Sequence, residues 1–101
     1  MKIYEIYGTL LDLTSCKEVV ESLCSLKFEE CESSYHGLYF ICGEKYNGEN
    51  YQIVKNIDLI DNELLEESAC PVLLYINNIN SDKNKIIVES KCFFLISREV
   101  L

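Results

Sequence analysis

The order of apolar and polar side chains divides the chain into short elements. The opening "KIYEIYGTLL" sets Ile3, Glu5 and Tyr7 against Tyr4, Ile6 and Gly8, a period of two that predicts a strand. After "DLT" the period lengthens. Cys16, Val19, Val20, Leu23 and Cys24 recur at helical spacing as one apolar stripe, with Lys17, Glu18, Glu21 and Ser22 on the other face. Ser15 followed three residues later by Glu18 is a capping-box pattern, in which each side chain satisfies a backbone N–H at the helix start.

Beyond the helix, "KFEECESSYHGLYFICG" reads as two short strands joined near residues 33–37, the first turning only Phe28 and Cys31 loosely inward. "LYFIC" has the aromatic and β-branched content of a buried strand. "GEKYNGEN" is a turn or exposed loop. "YQIVKNI" returns as a strand, with Tyr51, Ile53 and Lys55 alternating against Gln52 and Val54. An irregular acidic loop follows, with one helical turn expected at "NELLEE". The sole proline, Pro71, ends it and biases Cys70 towards an extended backbone. "VLLYI" then has the makings of a central strand.

The last third reads two ways. "KIIV" favours a strand by propensity. Ser81 or Asp82 as N-cap favours a helix to about Ser90, which would bury Ile86 and Ile87 together. "CFFLIS" is a strand in both. The helix gives an α+β fold, a ferredoxin-like antiparallel sheet with two helices on one face. The strand gives a more β-rich α+β sheet with one main helix. Residues 1–101 read as a single domain, and 101 residues suffice to bury about two-thirds of the unfolded surface.

Composition narrows the chemistry. No apolar run approaches the ~20 residues that cross a bilayer, and the N-terminus has one Lys, then Glu5, without a cleavage site of small residues. A cytoplasmic location is therefore expected. There the six cysteines read as small buried hydrophobes rather than disulfide partners. None is paired as CxxC, and Cys24, Cys31 and His36 match no compact metal spacing, so neither metal nor cofactor is expected. His36 is the only imidazole, so every Ser–His or Cys–His pairing depends on it, and its turn-like context favours a surface role. The four glycines are scattered and build no phosphate cradle. Acylphosphatases, ferredoxin-like enzymes of this length, need an Arg near their first strand, whereas the only Arg here is Arg98. No catalytic residue is assigned.

Charge points to a partner. Seventeen acids against nine bases give −8. That field disfavours nucleic acid and anionic membrane and favours a basic protein, although solubility alone also accounts for it. Residues 56–77 carry five acids, Asp58, Asp61, Glu63, Glu66 and Glu67, with no Lys or Arg among them. Among seven tyrosines, Tyr35, Tyr46 and Tyr51 fall in or beside loops, where a large side chain with a polar tip makes a good contact residue.

The segment from "ESSYHGLYFICG" through "ENYQIVKNIDLIDNELLEESACPVLLYIN" to "SREVL" resembles a group of small acidic bacterial proteins, similar to immunity proteins of polymorphic-toxin and contact-dependent inhibition systems. That resemblance implies a cytosolic protein that binds and neutralises a toxin's basic nuclease domain. Asp58, Asp61, Glu63, Glu66 and Glu67 would present charge, Tyr46 and Tyr51 would be aromatic anchors, and the free protein would be a monomer. "KIIVES" departs from the group, which has helix-favouring residues there. The rivals are an acidic DNA-mimic inhibitor, which would space its acids regularly, and a ferredoxin-like small-molecule sensor.

Overall fold

The computed structural model describes residues 1–44 and 48–101. The chain runs β1 (Ile3–Thr9), α1 (Leu13–Cys24), β2 (Glu29–Ser33), β3 (Gly37–Gly43), β4 (Asn50–Lys55), β5 (Val72–Asn77), α2 (Lys83–Glu89) and β6 (Phe94–Val100). The strands make one antiparallel sheet in the order β2-β3-β4-β5-β1-β6, so the fold is α+β with two helices. Among the described residues, no helix is long and apolar enough to cross a membrane.

Strand alternation sorts the side chains onto two faces. Tyr7 pairs with Leu74, Leu74 with Ile53 and Ile53 with Phe40, a row that runs across four strands on one face. Leu13, Cys16, Val20 and Cys24 of α1 and Ile87 of α2 close over that row as the main core. The stripe read from the sequence is the buried side of α1. The helix starts earlier than the capping box suggests. Asp12, with an extended backbone, takes the N-cap and accepts the Ser15 N–H at 2.8 Å.

α2 does form at the β-branched run. Ile87 is fully buried while Ile86 and Val88 are exposed, so the two isoleucines do not bury together. Successive helical residues point about 100° apart, which prevents neighbours from sharing one contact line. Asp82 precedes α2 but makes no side-chain cap bond. The Glu49 carboxylate instead holds the chain just ahead of the helix, accepting the Asn80 and Ser81 N–H groups at 2.8 and 3.0 Å, while the Ser81 hydroxyl accepts the Lys83 N–H at 3.3 Å.

The other sheet face carries no helix. Gly8, Leu73 and Val54 align across it, and residues 56–71 return over them. Val54 and Leu73 have no exposure and Cys70 is buried, yet none of them belongs to the main core. They form a second, smaller core beneath this loop. Gly8 makes the approach close: a Cβ there would lie 2.8 Å from the Cys70 Cβ and Sγ.

Candidate functional site

The expected helical turn at "NELLEE" is absent. Asp58 and Glu63 instead form an isolated antiparallel bridge, with the Asp58 N–H donating to the Glu63 carbonyl at 2.8 Å. Two acids build the turn between them. The Asp58 carboxylate accepts the Ile60 N–H at 2.8 Å, and that of Asp61 accepts the Glu63 N–H at 3.0 Å. Asn62 closes the turn at φ 61°, a left-handed conformation that asparagine tolerates well.

A buried asparagine holds the rest. The two N–H donors of the Asn56 amide are shared among the carbonyls of Glu66, Ser68 and Cys70 at 3.1–3.3 Å, and its oxygen accepts the Glu66 N–H at 2.9 Å. On the other side, the Leu59 N–H donates to the Tyr35 carbonyl, and Leu59 packs on Gly37. Gly37 has φ 69°, a left-handed conformation that favours glycine in "SSYHG", and a Cβ there would only displace the Leu59 Cδ1 methyl, 2.9 Å away. The acidic loop is thus a hydrogen-bonded structure fastened to both the sheet and the β2–β3 turn.

Its acids divide by exposure. Asp61, Glu63 and Glu67 are exposed, while Asp58 and Glu66 are half-buried. Asp58 lies close enough to raise the Tyr35 phenol, whose shift burial leads, and Glu66 likewise adds to the burial that raises Tyr75. Between the acids stand apolar side chains that also face water, Ile60 at 69% and Leu64 at 60% exposure, with Leu59 beside them. Nothing in the charge pattern singled these out. The available signal was "IDLIDNELLEE", in which apolar and acidic residues interleave in a segment too short to cover its own apolar groups.

The two tyrosine anchors fare differently. Tyr46 lies outside the described residues. Tyr51 is only 3% exposed, facing the helices with its hydroxyl bonded to Glu49, which removes it from the surface of the free chain. It sits on β4, as the alternation of "YQIVKNI" predicts, and strand parity turns it inward beside Ile53.

Little here suits covalent chemistry. His36 lies between Tyr35 and Tyr39, with ring centroids 4.7 and 5.1 Å away, and its Nδ1 has no partner. Burial lowers its pKa despite the opposing pull of Asp58, which leaves an aromatic packing element. Burial pushes the Cys16 thiol up to about 12, with Asp12 adding to the effect, far from a reactive thiolate. Among the described residues, no three His, Cys, Asp or Glu side chains converge on a metal position. A groove of about 470 Å³ opens between Leu10, Leu13, Ile57, Pro71 and Val72, and its Asp12 carboxylate is already committed to the α1 cap.

Comparison with known proteins assigns no family. No family model matches the chain, and a search of curated proteins gives no match.

Proposed function

We propose that this chain is a non-enzymatic, cytoplasmic binding protein of the immunity type, which docks on a basic toxin domain and neutralises it. The observation that carries this reading is the acidic loop. It is pinned by Asn56 and by its own turn bonds, and it holds Asp61, Glu63 and Glu67 outward beside exposed Ile60 and Leu64. Exposed apolar side chains on an ordered loop are costly in water and become useful when a partner covers them. Unpaired acids around them select a partner of opposite charge and speed its approach, while the apolar contacts slow release. Ile60 and Leu64 take the anchoring role here, and Asp58 and Glu66 shape the loop.

The fold fits a rigid presenter. We read the sheet as a ferredoxin-like plan enlarged by one hairpin. In support, β1 lies between β5 and β6, and the connections β1–α1–β2 and β5–α2–β6 both pass through helices that share one core. A DNA mimic would want regularly spaced acids, whereas these cluster in one loop. A basic nuclease is the partner this surface suits best, because its nucleic-acid groove must itself be positive.

Capture from cells carrying the native locus tests the proposal. Immobilised protein should retain a basic toxin domain that elutes at high salt. It should lose that domain when Asp61, Glu63 and Glu67 become Asn or Gln and Ile60 and Leu64 become Ser. Retention of nothing, from lysate in which such a toxin is demonstrably present, would overturn the inhibitor reading. The groove by Leu10 and Pro71 would then favour a small-molecule role, which a thermal-shift screen detects.

A further inference from the structure

The side of the sheet turned away from the helices is only partly covered. Residues 56–71 return over Gly8, Leu73 and Val54, and the next row along the strands lies beyond that cover. This row takes one residue from every strand: Ser97, Ile6, Tyr75, Gln52, Ile41 and Glu29 are register partners in turn. None of the six packs in the core that the helices close. Ser97 and Glu29 at its ends are exposed, and the four residues between them are half-buried. The middle of the row is thus an aromatic and aliphatic strip, interrupted by one amide.

The charge around this strip is nearly all of one sign. Glu29 ends it, and Glu99 stands opposite Tyr4 on the same side of the sheet. Burial and then Glu66 raise the Tyr75 phenol, while burial and then Asp58 and Asp61 raise that of Tyr35, which itself acts on Tyr75. These three carboxylates therefore stand beside the strip. The bases are placed elsewhere. Lys17, Lys83 and Lys85 belong to the helices, Lys55 shares the inward parity of Ile53, and Arg98 reaches Glu5 on the helix side. Among the described residues, no strand position on the open side is a base, and Lys2, just ahead of β1, is in step with it.

We propose that this row is a docking face for an amphipathic, basic helix of the partner protein, laid across the strands. Its apolar side would cover Ile6, Tyr75 and Ile41, and its Lys or Arg side chains would reach Glu29, Glu66 and Glu99. Charge selects this occupant over a second copy, which would bring the same acids against their equals. The geometry selects a helix. An extended segment laid flat on side chains would leave its backbone N–H and C=O groups without partners, whereas a helix satisfies its own. Six strands at ~4.8 Å spacing make the row about 24 Å long, the length of about 16 helical residues. A helix there would complete the layer that the sheet lacks on this side. The inference rests on the basic-partner reading above, and it extends the interface from the loop onto the sheet.

Amide NMR shifts of the labelled chain, titrated with a synthetic Leu/Lys helix of about 16 residues, test it. Saturable shifts are expected at Ile6, Ile41, Gln52 and Tyr75 together with residues 57–67, and none with a Leu/Glu counterpart. Affinity should fall about tenfold in a folded Ile41→Lys/Gln52→Lys variant. Shifts confined to residues 57–67 would overturn the docking face while leaving the role of the acidic loop intact. Unchanged affinity in the variant would overturn it too, as would a Ser/Lys peptide that binds equally well, since charge alone would then suffice. Absence of saturable binding would refute the face, and capture from cells would then decide the toxin-binding reading by itself. Should the variant fail to fold, the wild-type shift map decides.

Discussion

At Asn56 one buried side chain serves four backbone groups of the acidic loop, three carbonyls and one N–H. Truncating it strands those groups in a site with little water, so Asn56→Ala should cost about 3 kcal/mol. The urea midpoint reads this directly, and proteolysis should begin between residues 57 and 70. An unchanged midpoint would mean that the loop is held by something else. Glu49 is a second hub, reached by the Tyr51 hydroxyl, the Ser81 hydroxyl and two N–H groups before α2. Burial pushes its carboxyl up, but those hydrogen bonds outweigh burial and hold it below the usual value. A depressed folded pKa adds stability above the unfolded value of 4.5, and that stability is lost as pH falls through the lower folded value. Wild type should therefore exceed Glu49→Gln in urea midpoint at pH 7, and the gap should close below the ordinary carboxylate range. A gap that persists at low pH would show that the carboxylate's charge is not what matters.

Among the elements, the joint between β1 and the loop is closely packed. Gly8→Val would drive a side chain into Cys70 and Ile96, at a cost of about 2 kcal/mol and with displacement of the loop's return. Thermal unfolding measures the cost, and an unaltered midpoint would show that the second core yields easily. Elements built on short-range pattern were readable in advance. The α1 stripe, the alternation of β1 and the turn in "SSYHG" all depend on neighbours along the chain. Choices between local options were not. Asp12 rather than Ser15 caps α1 because of where the chain bends after β1, and Ile87 rather than Ile86 is buried because α2 turns it into the core it shares with α1. The loop was legible as acidic but not as ordered, since the bonds from Asn56 span ten to fourteen residues and follow no periodicity. Tyr51 was legible as the start of a strand beside a loop, but alternation alone does not say which face of that strand is buried, and the helices cover the one Tyr51 shares with Ile53.

For the whole molecule, separating the charge from the core has a measurable consequence. Asp61, Glu63 and Glu67 make no ion pair among the described residues and are exposed, so neutralising all three should change stability by less than about 0.5 kcal/mol. The same change should slow association with a basic partner by about tenfold at low salt, and much less at high salt, where the field is screened. Stopped-flow association across ionic strengths separates these effects, and equal rates for both proteins at low salt would remove charge from the account. The measurement closest to the central claim is a hydrogen-exchange footprint of the captured partner on the intact chain. Slowed exchange concentrated in residues 57–67 is expected on binding. Protection confined to α1 and α2, with residues 57–67 exchanging as in the free protein, would contradict it.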